Sequence, residues 1–197
     1  MNPGPLKQFD RAEVLGKAME VFWEHGYEGA SLSDLLSHMG IGRQSLYDTF
    51  GDKRSLFLEA LRLYQQAMLG PMLETLNAPR PAADNLRAIF DLWEAHAADE
   101  NCRGCLAAKT IDEMGGADAE VEELVHTGMG AIESALAATI ERARAEGDLT
   151  ASVEPTELAR TFLTLCQGMA VLSRSKSGAG YTRISINTMC RLLGLER

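Results

Sequence analysis

The chain has 197 residues, of which 46% are hydrophobic and 24% charged, a composition that suits a packed domain and excludes a disordered or fibrous chain. The formal net charge is −9, which argues against a generally basic nucleic-acid binder. Residues 1–70, however, hold 7 Lys+Arg against 9 Asp+Glu, so the front of the chain is close to neutral and local cation placement decides.

Helical periodicity runs through the whole sequence and strand-like alternation is absent, so the expected fold is all-α. The first helix opens at Asp10, with Glu13 three residues on, and carries Val14, Leu15, Ala18, Met19 and Phe22 on one face. Gly26 is its expected stop, as a residue that can turn left-handed. The second opens at Ser31 with Asp34 three residues later, and places Leu32, Leu35, Leu36 and Met39 at i, i+3, i+4 and i+7. Gly40 ends it after about two turns. A third short helix is expected from Arg43 to Phe50, with Leu46 and Phe50 inward and Arg43, Gln44, Ser45 and Tyr47 outward. Gly51-Asp52 breaks the pattern before a long helix that starts at Lys53 and carries Phe57, Leu61, Tyr64 and Met68.

The segment "NAPRPAA", Asn77 to Ala83, reads as the clearest linker. Beyond it, Leu86, Ile89, Phe90, Trp93 and Ala97 mark one helix, Leu106 to Met114 a shorter one, and Ala119 to Glu146 a long one ended by Gly147. The last two helices start near Pro155 and Tyr181. The first of this pair is apolar over most of its circumference, which requires burial on two sides; a second subunit is the expected cover. The stretch from Phe162 to Leu172 is broken by Gln167 and Gly168 and is too short for a bilayer, and the opening "MNPGPLKQFDRAE" has no signal-peptide core. Four cysteines do not make a secreted disulfide framework, so a cytoplasmic location without membrane contact is expected.

A helix, a tight glycine-containing turn and a short helix with a polar outer face make a helix-turn-helix. Its second helix would lie in a major groove, where Arg43 can pair with guanine, Gln44 with adenine and Ser45 with either a base or a phosphate. Ser31 sits at a helix start that favours phosphate, and Lys53 adds a charge to another. Arg43, Lys53 and Arg54 form the local cation group. The plainer readings are a solvated Lys53, a packing Tyr47, and phosphate instead of base contacts for Arg43 and Gln44.

The segments "AMEVFWEHGYEGASLSDL" and "MGIGRQSLYDTFGDKRSLF" closely resemble the DNA-binding domain of the tetracycline-repressor (TetR/AcrR) family over residues 10–57. The resemblance implies an N-terminal three-helix helix-turn-helix domain, here residues 1–52, joined to a larger helical-bundle ligand-binding and dimerisation domain, residues 53–197. It also implies a homodimer formed by the two C-terminal helices, a palindromic double-stranded DNA operator and a small-molecule effector. By the same resemblance Tyr47 and Lys53 fall on phosphate-contacting positions, and Arg43, Gln44 and Ser45 on base-reading ones. Ser31 and Ser33 fall at the start of the second helix, and Thr49 lies on the exposed side. Asp48 should point away from the phosphates, because a carboxylate facing them would weaken binding.

In the second half, Cys102 and Cys105 form a CxxC, a candidate redox-active dithiol switch, with His96 and His126 too far along the chain for a tight zinc site. No metal or cofactor is expected. "RGCLAAK" resembles a stretch from a branch of the family in which some members sense oxidants or electrophiles through the equivalent cysteine; that singles out Cys105, with Lys109 one turn away. The alternative is a Cys105 that only closes the core, as Cys166 and Cys190 are expected to do. An effector pocket would draw on Phe90, Trp93, His96, Cys105, Met114, Met129, Phe162, Cys166 and Met169, for a small and largely apolar ligand. An enzyme on a helical bundle is the competing class. It finds no nucleotide loop, no HExxH and no assembled Ser-His-Asp set.

Overall fold

Three short polar residues punctuate the first third of the chain. In the computed structural model, which describes residues 9–99, 101–149, 152–175 and 178–195, the Asp10 carboxylate accepts from the N–H of Ala12 at 2.8 Å and starts α1 (Arg11–Gly29). Ser31 Oγ accepts from the Asp34 N–H at 3.1 Å and starts α2 (Leu32–Met39). Asp52 Oδ1 accepts from the Ser55 N–H at 2.7 Å and starts α4 (Lys53–Leu76). Between them α3 (Arg43–Phe50) follows Gly40, whose φ of 69° gives the left-handed cap that closes α2. Glu13 does not complete a capping box at Asp10; its carboxylate holds Lys17 at 2.6 Å.

The remaining helices are α5 (Ala82–Ala98), α6 (Leu106–Met114), α7 (Ala119–Ala145), α8 (Pro155–Leu172) and α9 (Gly178–Leu193); no strand occurs among the described residues. None of these helices is long and apolar enough to cross a membrane.

Two apolar cores result. The first gathers Val14, Ala18 and Phe22 of α1, Leu35 and Met39 of α2, Leu46 and Phe50 of α3, and α4 as far as Tyr64. Phe22 and Phe57 meet edge to face at 5.0 Å, each fully buried and each contributing about 1.5–3 kcal/mol through burial. Leu106, Val121 and Val125 join this core from α6 and α7, so the front of the molecule rests on the bundle behind it. The second core packs α5, α7, α8 and α9 around Leu86, Phe90, Leu136, Ile140, Phe162 and Ile186.

The segment read as a linker is a stitched corner of the second core. Buried Asn85 donates to the carbonyls of Leu76 and Ala78 at 3.1 and 3.0 Å and accepts from Arg80 Nε at 2.5 Å. These bonds satisfy carbonyls left open at the buried end of α4 and tie it to α5. Pro71 sits inside α4 and removes one backbone donor, leaving the Ala67 carbonyl without its helical partner.

Candidate DNA-reading face and inner cavity

The outer face of α3 is built by subtraction: Leu46 and Phe50 are buried, so Arg43, Gln44 and Tyr47 point to solvent, with Tyr47 43% exposed. Gly42 precedes the helix with no side-chain cap, which leaves the first-turn N–H groups of α3 open. Ser45 and Thr49 are half-buried on the flank, and Ser31 and Ser33 are exposed at the start of α2. Ser31 Oγ is engaged on both sides, donating to Asp34 Oδ2 at 2.5 Å while it caps Asp34. Lys53 Nζ lies 4.5 Å from the Tyr27 ring centroid, a cation–π contact that holds the ammonium at the edge of the face.

Three polar features beside this face are already engaged within the protein. The Arg54 guanidinium makes a two-bond pair with Asp118, at 2.6 and 2.8 Å, and a third bond to Glu120 at 3.1 Å, so its charge is compensated within the chain. That pairing holds the Asp118 carboxyl down at about 2. The α4 start is not an open anion site, because the Asp52 carboxylate already occupies it. Asp48 lies on the exposed surface of α3 and accepts from Gln44 Nε2 at 2.8 Å, one turn away, so it orients the Gln44 carboxamide.

Behind this head a cavity of about 290 Å³ opens between α4, α5, α7 and α8. Trp93, His96, Cys105, Met129, Cys166 and Met169 line it. Phe90, Phe162 and Met114 do not. Phe90 and Phe162 stack edge to face at 5.5 Å in the second core, and Met114 packs against the first. The lining also includes Tyr64, Gln65, Met68, Gly104, Gln167 and Ser173, which helical periodicity had not marked as cavity residues.

The floor of the cavity is the start of α6. Tyr64 Oη accepts from the Leu106 N–H at 3.3 Å and donates to Cys105 Sγ at 3.6 Å, and burial raises the Tyr64 hydroxyl well above its usual range, so it stays a donor. Cys105 is half-buried and also borders a surface hollow with Lys109 and Arg174. Burial pushes the Cys166 thiol up to about 12. Cys102 is a free thiol, 3.2 Å from Ser173 Oγ and 3.6 Å from His96 Nε2, while His126 is exposed.

From this floor a set of bonds runs to α1. Trp23 Nε1 donates to the Gly104 carbonyl at 2.8 Å. Lys109 Nζ donates to the Trp23 and Glu24 carbonyls, and so is committed to α1 and not to Cys105. Glu113 Oε2 accepts from the Tyr27 N–H at 2.6 Å. Only Gly26, at φ 76°, lets that carboxylate in, because a Cβ there would sit 1.9 Å from Glu113 Oε1. Nothing local in the sequence announces these contacts, since their partners lie about eighty residues apart.

Residues 14–60 match the family model described as bacterial regulatory proteins, tetR family, and residues 82–188 match the tetracyclin repressor-like C-terminal domain. The chain belongs to the TetR family. It is 40% identical over 147 residues to the uncharacterized HTH-type transcriptional regulator YezE of Bacillus subtilis, spanning 74% of this chain and 76% of that one. It is 27% identical over 178 residues to the HTH-type transcriptional repressor ComR of Escherichia coli, spanning 87% and 82% of the two chains. Among solved structures, a cysteine mutant of the TetR family regulator CifR in complex with 26-bp operator DNA superposes with a TM-score of 0.82 at 28% identity, covering 96% of this chain and all of that one. Reduced NemR of E. coli superposes at 0.84 with 19% identity over 94% and 97% of the two chains, which shows the shared fold. This TetR-family chain is therefore a DNA-binding transcriptional regulator and not an enzyme.

Proposed function

We propose that this TetR-family protein is a homodimeric repressor that leaves a palindromic operator when a small, largely apolar ligand enters the cavity beneath α1. The division into a reading head, residues 1–52, and a ligand-binding and dimerisation body, residues 53–197, is part of that reading. One observation carries it: the segment Gly104 to Glu113 walls the cavity at its start and grips α1 through Trp23, Glu24 and Tyr27 along its length. A ligand that prefers a shifted α6 would therefore also shift the head, and its differential affinity for the two positions sets how far operator binding falls.

The dimer rests on exposed apolar side chains that share faces of the last two helices. On α9 Tyr181, Ile184 and Leu192 follow at i, i+3 and i+11, with Ile184 66% and Leu192 74% exposed. On α8 Leu165, Val171 and Leu172 are exposed as well. A patch of this kind is a surface for a second copy. The reading residues are Arg43 and Gln44 for bases, and Tyr47 and Lys53 for phosphates, with Ser31, Ser33, Ser45 and Thr49 at the margins.

A second reading is favoured by the position of Cys105, which faces the cavity, borders the hollow flanked by Lys109 and Arg174, and heads α6. A thiol placed where the cavity meets the surface hollow is within reach of small reagents from either side, so oxidation or electrophile capture at Cys105 is the alternative switch.

Selection of duplexes from a random pool, followed by sedimentation and anisotropy titration across a salt series, tests the first reading. A dimer that enriches a palindrome and loses specific binding in Arg43→Ala supports it. A monomer that enriches no sequence overturns it.

A further inference from the structure

Two residues of the cavity wall each hold a buried polar atom, of opposite character, with no hydrogen-bond partner among the described residues: Trp93 Nε1 and Gln167 Oε1. Trp93 comes from α5 and is only 6% exposed, and Gln167 comes from α8. Buried polar groups are almost always paired, so two orphans bordering one cavity mark where a ligand's own polar atoms belong. Of the other polar side chains on the wall, three are engaged within the protein, and His96 is exposed with its Nε2 3.6 Å from Cys102 Sγ. Gln65 Nε2 donates to the Leu124 carbonyl at 2.8 Å, Ser173 Oγ donates to the Ala170 carbonyl at 2.9 Å, and Tyr64 is held by Leu106 and Cys105.

The rest of the lining narrows the choice. No Lys, Arg, Asp or Glu borders the cavity, and His96, the one imidazole in its lining, is exposed and lies against Cys102, so an ionised ligand would lose water with no permanent countercharge to meet it. Met68, Met72, Met129 and Met169 supply polarizable sulfur, which favours the edges and faces of aromatic rings. The volume of about 290 Å³ is roughly twice the 150 Å³ that holds benzene. The indole is fixed by its neighbours: Trp93 packs on Phe90 at 5.6 Å, and Phe90 on Phe162 at 5.5 Å.

We infer that the cavity takes a neutral one- or two-ring aromatic that offers a hydrogen-bond acceptor to the Trp93 indole N–H and a donor to the Gln167 carboxamide oxygen. A hydroxyaryl ketone has this chemistry; an aryl carboxylate and a plain hydrocarbon do not. The inference rests on the effector reading above and adds the chemical class of the effector.

Calorimetric titration of the full chain with hydroxytetralone, tetralin and naphthoate tests it, alongside Trp93→Phe and Gln167→Leu. Hydroxytetralone should bind wild type roughly a hundredfold more tightly than tetralin, and each substitution should remove roughly tenfold of that while leaving tetralin unchanged. Tetralin binding as tightly as hydroxytetralone, naphthoate binding most tightly, or no binding by any of the three would overturn the inference. The comparison of compounds on wild type stands even if Trp93→Phe folds poorly. Operator anisotropy on the same samples separates the two claims. Discriminating binding without operator release would sink the effector reading alone, and release by tetralin and hydroxytetralone at equal affinity would sink only the ligand chemistry.

Discussion

The Glu113 carboxylate meets the Tyr27 N–H at 2.6 Å, at the point where α1 breaks after Gly26. A side chain from the body thus caps a helix of the head, and the Glu28 N–H joins at 3.3 Å. The carboxylate can come this close only because residue 26 has no side chain.

Gly26→Ala should therefore lower stability by about 1–3 kcal/mol, from backbone strain at positive φ and displacement of Glu113. Urea unfolding reads the loss. Adding Glu113→Ala to Gly26→Ala should recover part of it, since the clash is then gone while the strain remains; no recovery would locate the whole cost in the backbone.

On the selected operator, Arg43→Ala should cost about 1–3 kcal/mol and relax the preference at one base pair. Lys53→Ala should instead weaken all duplexes alike and lower the salt slope by about 1. Anisotropy titrations on specific and scrambled duplexes separate the two patterns. Equal losses on both duplexes for Arg43→Ala would make it a phosphate contact.

The Arg54–Asp118 pair ties the first turn of α4 to the start of α7, and its pH dependence has a definite sign. The Asp118 carboxyl is depressed from 3.8 to about 2, so the stability tied to that pair is present above 3.8 and is lost as pH falls toward about 2. Denaturation of wild type and Arg54→Met should differ by a constant amount above about pH 5 and converge below it. A difference that grows on acidification would refute the assignment.

Cysteine reactivity should be ordered by environment. Burial holds the Cys166 thiol up at about 12, so native protein treated with a limiting maleimide should be labelled at Cys105 before Cys166. Peptide mass mapping reads the order. If Cys105→Ser still binds operator but no longer responds to peroxide, the cysteine switch is the operative one.

Ile184→Glu places a charge in the exposed apolar face of α9 and should leave a monomer at micromolar concentration where wild type forms the proposed dimer. Sedimentation checks this. An unchanged dimer would move the interface elsewhere.

Local rules account for what the sequence made legible. The limits of α3, Arg43 to Phe50, and of α6, Leu106 to Met114, follow from flanking glycines and the spacing of apolar residues, and the structure has the same bounds. The all-α fold was legible for the same reason. The pairing of Arg54 was not legible because its partner, Asp118, lies 64 residues away. Gln65 and Gln167 face the cavity although glutamine on a helix ordinarily signals solvent. Phe90 and Phe162 show the converse: an aromatic stripe marks an inward face, but not whether that face meets a void or another ring. Trp23 and Glu113, which join head to body, act through backbone groups, which carry no residue-type signature.

The proline within α4 gives that helix a mechanical meaning. Eighteen residues separate Lys53 from Pro71, a rigid arm of about 27 Å, with the DNA-reading head at one end and the cavity wall at the other. A tilt of about 5° at the missing backbone bond would swing the far end by about 2 Å, which is more than half of the 3.4 Å rise of a base pair. In the proposed dimer, with two such arms, an angular change too small to disturb either core would put the two α3 helices out of step with the duplex.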